Sequence, residues 1–424
     1  MENVLVILGS YFPKPSPNGI CVHKVAKELQ KEGVKITVIA KQSSGLTEYE
    51  NIDDIDIYRV RGRWFNRVMD WCTKNKEKKY EKIVRKSLLF LNKIKSILCL
   101  PIWPILSPMY SCRLYKKAKE LHRGNNYDHV ISVYNPIDAL VAGVMLKKKF
   151  KSINLNLYFL DTLSGGIVPK YLTRDWLKKR GWFWESRFFG VADNIYVMES
   201  HREHYLSNTY RNFHHKIDVV DIPLLKKIEH KEKEGQLNLD FCKEKIHFVY
   251  TGMLLKQLKN PSYMLALFKK LSDRYNCVFH IFGGGDCEDI IKKYKNKMAD
   301  GAIIIHGQVD LQSAHNALLK SDFLINIGSL VDCQITGKIF EYVSTGKPII
   351  SFYSSESEPS IPYLEKYPLS LLIKEDWEKV DENCLKVSEF IESVKGKKVK
   401  YEQVEKIYYN NTPVQTAKKI AKLY

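Results

Sequence analysis

The sequence predicts an α/β protein made of two doubly wound, mostly parallel sheets. Three observations predict it. Short apolar runs alternate with helical periodicity in both halves. A polar stretch near residue 230 interrupts that alternation. The length of 424 residues exceeds what one hydrophobic core holds. An apolar fraction of 45% argues against wholesale disorder.

The elements follow in chain order. NVLVILGS reads as a strand; with no basic leader and no cleavage site it does not read as a signal peptide. A loop carrying Pro13, Pro15 and Pro17 comes next. Val22, Val25, Ala26 and Leu29 then recur at i, i+3, i+4 and i+7, which is one apolar helix stripe. Gly33 ends that helix, and VKITVIAK is the second strand. DHVISVY, INLNLYFL and NIYVM continue the sheet.

A Lys/Arg-rich segment from about Arg61 to Lys119 lies between these strands. Its SLLFLNKIKSILCLPIWPIL is broken by Lys93, Lys95, Pro101 and Pro104, so no span of about twenty apolar residues exists to cross a membrane. A basic, aromatic-bearing helix in a membrane interface fits the segment, and so does ordinary packing inside the first domain. Lys226 to Lys245 is the linker candidate. Beyond it IHFVYTG, CVFHIFGGG, AIIIHG, FLINIGS and PIISF restart the alternation. The expected domains are 1–228 and 229–398, with 399–424 a helical end packing back toward the first.

The net charge of +19 points to an anionic partner: nucleic acid, a phospholipid surface or a phosphorylated substrate. Well-solvated lysines account for the same number. No aromatic-interleaved basic motif supports nucleic acid, so none is expected as a partner. Nine cysteines without paired spacings suit a reducing cytosol, and no Cys/His metal pattern is present.

The densest chemistry sits in ITGKIFEYVSTGKPII, Ile335 to Ile350. At about 100° per residue, Ile339, Phe340 and Val343 share one arc of a helix, and Lys338 and Glu341 share the opposite one. Lys338 adds a full charge to the partial positive charge of the helix start, which suits a diphosphate. Glu341 is placed to accept from ribose hydroxyls. Gly337 admits close backbone approach and Gly346 ends the helix. A surface i,i+3 ion pair has the same spacing.

QITGKIFEYVSTGKPII resembles the donor-binding motif of nucleotide-sugar glycosyltransferases with the GT-B fold, two Rossmann-like domains facing each other across a cleft. FVYTGMLLKQLKNP, Phe248 to Pro261, and SDFLINIGS, Ser321 to Ser329, fit the same resemblance in the same order. It is strongest over residues 245–355 and is closest to bacterial enzymes that build lipopolysaccharide or capsule. The resemblance implies a UDP-sugar donor, no cofactor and no metal; it covers the first domain only in outline, so the acceptor is not inherited from it. The basic first domain adds the expectation of a lipid-linked or oligosaccharide acceptor, met at the cytoplasmic face of an anionic plasma membrane.

Carried over, it gives the diphosphate to Lys338, Thr336 and Gly337, and the ribose to Glu341. Lys259 and Lys256, beyond Gly252, would hold the leaving diphosphate, with Lys259 ranked first. Fixed cations matter most at that oxygen. Where many retaining relatives carry a glutamate, Cys333 stands between Asp332 and Gln334, so retention is not implied.

In the first domain, Gly19 follows the first strand, where relatives let substrate approach backbone. Asp161 follows INLNLYFL and suits a base on an acceptor hydroxyl, or a turn at a strand end. Glu185 and Asp193 are weaker candidates. The run Gly283 to Gly285 could admit a nucleotide base. Asp54-Ile55-Asp56 resembles a metal-binding acidic pair but precedes a strand instead of following one. A sugar-nucleotide epimerase of the same fold and a basic nucleic-acid binder are the rival readings.

Overall fold

The computed structural model describes residues 3–75, 77–78, 80–165, 172–230, 241–329 and 337–421. The chain divides into two units: Met1–Pro223 with Pro413–Tyr424, and Leu224–Thr412.

The first unit carries β1 (Asn3–Ile7), β2 (Lys35–Gln42), β3 (Tyr49–Ile52), β4 (Ile55–Arg61), β5 (His129–Tyr134), β6 (Asn154–Phe159), β7 (Asn194–Met198) and β8 (Ile217–Val220). They lie in the order β3-β4-β2-β1-β5-β6-β7-β8. Every pairing is parallel except β3 with β4. Chain order reverses between β1 and β5, so that pair is the switch point where such sheets open a crevice at their carboxyl ends.

The helix Pro17–Lys31 starts as its residues dictate. Pro17 occupies the first turn, and the Ser16 hydroxyl accepts from the Gly19 amide. Val22, Val25, Ala26 and Leu29 are buried against the sheet. Gly33 leaves the helix at φ +83°, a conformation glycine adopts without penalty.

The second unit carries β9 (Ile246–Thr251), β10 (Cys277–Phe282), β11 (Ile303–Gly307), β12 (Phe323–Ile327), β13 (Ile349–Tyr353) and β14 (Ser370–Lys374). All are parallel, in the order β11-β10-β9-β12-β13-β14. Its switch point lies between β9 and β12. β9 and β10 are buried at every position, as strands covered on both faces must be.

The segment expected as one piece from 399 onward is split by its packing. The helix Tyr401–Ile407 contacts the helix Lys338–Ser344, and the Tyr408 hydroxyl donates to the Tyr363 carbonyl at 2.6 Å. From Pro413 the chain joins the first unit, where Ala417 and Ile420 enter the core beside Val22 and Val25.

Glycines 283 and 285 serve loop packing. At φ +146° and +145°, their missing Cβ atoms would stand 1.8 Å from the carbonyl oxygens of Gly252 and Leu254. Gly252 N donates to Phe282 O, and Leu254 N to Gly284 O, so the loops after β9 and β10 lie side by side. Gly283→Ala is expected to cost about 3 kcal/mol or more through strain and overlap. Chemical unfolding of the variant measures it.

Three imidazoles cross the same sheet. His247 Nε2 lies 2.9 Å from the Cys242 carbonyl, which only accepts, so that nitrogen carries the proton. His280 Nε2 must then donate to His247 Nδ1, and His306 Nε2 to His280 Nδ1, each at 2.9 Å. For three neutral rings this direction sets every tautomer in the chain. Burial, and then the neighbouring His247 and His306, push His280 from 6.5 down to about 3, and burial lowers His306.

These depressed values mean that the unfolded chain binds protons the folded chain refuses. The stabilisation is full above the unfolded value and is lost as pH falls from about 6.5 toward 3. His280 alone is expected to remove about 2–3 kcal/mol of stability by roughly pH 4.5. Thermal unfolding across that range checks this, and His280→Leu should flatten the slope.

Candidate functional site

In the second unit the candidate residues gather around the carboxyl edge of the switch point. The helix Lys338–Ser344 buries Ile339, Phe340, Tyr342 and Val343, which is the apolar arc read from the sequence plus one tyrosine. The Tyr342 hydroxyl accepts from the Thr251 amide at 2.9 Å, tying the helix to the end of β9. Gly346 turns the chain out at φ +75°, where a Cβ would stand 2.1 Å from the Val399 carbonyl oxygen, so no side chain fits.

Lys338 and Glu341 therefore hold fixed positions, each half-buried. Lys338 Nζ donates to Glu341 Oε2 at 2.8 Å. His315 Nε2, from the helix Leu311–Lys320, stands 3.7 Å from the same oxygen. Burial pushes the Glu341 carboxyl up, but His315 and Lys338 outweigh it and hold it below the ordinary range. The group is an ionised acceptor at neutral pH.

Lys259 stands in the loop after β9, where Leu255 and Lys259 form an isolated bridge. Burial lowers its pKa; Glu358 opposes that shift and Lys338 adds to it. Lys259 thus feels the charges of both Lys338 and Glu358. Glu358 follows β13, is buried, and accepts from the amides of Ser360 at 2.8 Å and Ser329 at 3.4 Å. Two ammoniums and two carboxylates at one sheet edge, with Gly252 and Gly337 beside them, suit an anion whose attached groups present hydroxyls.

Lys256 is placed differently. Its ammonium donates to Asp289 at 2.7 Å, its amide donates to Asp286, and its side chain is exposed. Thr336 and Cys333 lie outside the described residues.

In the first unit, Asp161 and the start of the Pro17–Lys31 helix meet at the carboxyl edge. The Asn18 side chain bonds Asp161 and donates to the Tyr134 carbonyl at 3.1 Å. Burial raises the Asp161 pKa, with Asn18 opposing. Gly19 is buried against the loop after β1: a Cβ there would meet the Ser10 carbonyl at 2.4 Å. Its amide is already bound by Ser16.

Glu185 lies fully buried in the helix Arg174–Val191. It accepts from the amides of Leu163 and Ser164 and from the hydroxyls of Tyr205 and Tyr210. Its carboxyl anchors the loop that follows Asp161. Asp193 accepts from Leu155 N at 2.7 Å and pairs with Lys147, a structural task before β7. Asp53 and Asp54, at φ +53° and +62°, make the tight turn from β3 to β4. Asp56 there accepts from Tyr49 and Asn51.

No protein-family model matches the chain, and no curated protein matches it. Solved structures do match. A glycosyltransferase from Rickettsia africae ESF-5 aligns over 100% of this chain and 97% of its own, with a TM-score of 0.60 and 14% identity. HepE from Anabaena, in complex with UDP, aligns over 100% and 99%, with a TM-score of 0.59 and 11% identity. The fold is GT-B. A putative UDP-N-acetylglucosamine 2-epimerase from Listeria monocytogenes also aligns, over 99% and 94%, with a TM-score of 0.55 and 12% identity.

Two residues of this GT-B chain went unread in the sequence. His315 sits in a helix whose periodicity marks only its buried side, and nothing local ties it to Glu341. Glu358 falls in the polar run SSESEPS, which reads as a loop. A carboxylate just past the apolar strand PIISF was the available signal.

Proposed function

We propose that the chain transfers a sugar from a nucleoside diphosphate sugar, UDP-sugar favoured, to a lipid-linked glycan acceptor in bacterial surface polysaccharide synthesis. The observation that carries this reading is the Lys338–Glu341 pair, held at the switch point of the second unit with Lys259 and His315 beside it. The UDP bound to HepE, a structure of like fold, supports the choice of donor.

The proposed chemistry uses these groups in distinct roles. On donor binding, Lys338 exchanges its bond to Glu341 for the diphosphate, and Glu341 turns to the ribose hydroxyls. The bond from the anomeric carbon to the diphosphate breaks, and its electrons leave on a phosphate oxygen stabilised by Lys338 and Lys259. The acceptor hydroxyl bonds to that carbon and gives its proton to a general base, the role proposed for Asp161 from its place after a strand end.

The test is incubation with a panel of UDP- and GDP-sugars, with and without a polyprenyl-linked glycan, followed by mass spectrometry. Acceptor-dependent release of nucleoside diphosphate is the expected result. Silence across all donors contradicts the reading. Conversion of a UDP-sugar without acceptor assigns the chain to epimerisation, the activity named for the Listeria structure.

A further inference from the structure

We infer that the helix Glu81–Leu98 is an in-plane docking element for an anionic lipid surface. Of its eighteen residues only Glu81 and Leu88 are buried. At about 100° per residue, Ile83, Phe90, Leu91, Ile94, Ile97 and Leu98 fall within roughly 120° of one face. All six are exposed, Phe90 by 64% and Leu98 by 74%. Isolated exposed leucines are ordinary on protein surfaces, but six apolar side chains on one helix face, interrupted only by Ser87, mark an interaction face.

Charge selects the occupant. Lys82, Lys86 and Lys93 run along one flank of the stripe, and Lys95 lies on the other. Residues 61–119 hold sixteen Lys or Arg against three Asp or Glu, so thirteen of the chain's nineteen net positive charges sit in this segment. An apolar stripe bordered by lysines matches a headgroup layer, where the side chains insert and the ammoniums remain with the phosphates. A second copy of the chain would set like charges against one another. No helix among the described residues is long and apolar enough to cross a membrane, so the element lies on the surface.

The inference rests on the lipid-linked acceptor proposed above for its purpose only; its physical basis is the helix. The full chain is sedimented with vesicles of phosphatidylcholine alone, or with about a third phosphatidylglycerol. Binding to the anionic vesicles alone, weakening with salt, is expected. Phe90→Ser with Ile94→Ser should reduce that binding by at least ~10-fold. Lys82→Ala with Lys86→Ala and Lys93→Ala should reduce both binding and its salt dependence.

All five positions are surface residues of one helix, so the variants should keep the thermal unfolding midpoint and any stabilisation by UDP. Retention of UDP stabilisation separates this test from that of the donor site. Three results overturn the inference: no pelleting with anionic vesicles, serine variants that pellet like the wild type, or a dimer in solution that the serine substitutions dissociate.

Discussion

Glu341→Ala is expected to weaken binding of the nucleotide donor by roughly 1.5–3 kcal/mol, since hydrogen bonds to a charged group contribute about that much. The structure gives the reason for so large an effect at one side chain. His315 and Lys338 keep the carboxyl ionised despite its burial, and Tyr342 fixes the helix that carries it to the end of β9. Titration calorimetry with UDP measures the loss. The half-buried position predicts little change in unfolding midpoint, so a folded variant with an unchanged dissociation constant would place Glu341 outside the site.

Glu185→Ala is expected to cost about 3–5 kcal/mol of stability, because it strips a buried acceptor from several donors at once. Two amides and two tyrosine hydroxyls converge on that carboxyl, the closest being Tyr210 at 2.5 Å. Urea unfolding followed by tryptophan fluorescence reads the effect, since Trp182 packs edge-on against Tyr210 at 5.1 Å. Glu185→Gln keeps one acceptor oxygen and should lose less. The same substitution loosens the loop behind Asp161, so activity should fall further than unfolding alone explains.

Much of the fold was legible because its signals are local. Each strand proposed from an apolar run is present, and the Val22-Val25-Ala26-Leu29 stripe is buried as its spacing required. Glycines were harder to read. The run Gly283 to Gly285 looked like room for a ligand, whereas two of its members make room for the neighbouring loop. The C-terminal segment was read as one piece, but Tyr408 and Ala417 bury against different units.

At the site, the charged arc of Lys338 and Glu341 followed from helix geometry, while the groups that tune it did not. His315 and Glu358 reach the cluster from elements that only the sheet order brings close. Lys256 and Lys259 show the same limit in miniature. They stand three residues apart in a lysine-rich loop, and only the turn between Leu255 and Lys259 sends one to Asp289 and the other toward Glu358.

Backbone hydrogen exchange with and without UDP tests the central claim most directly. Protection confined to residues 252–260, 311–320, 326–329, 337–346 and 354–360 is the predicted result, since those segments carry the loop after β9, the His315 helix, the end of β12, the Lys338 helix and the Glu358 loop. UDP-dependent protection elsewhere in the chain, or none at saturating nucleotide, would contradict it.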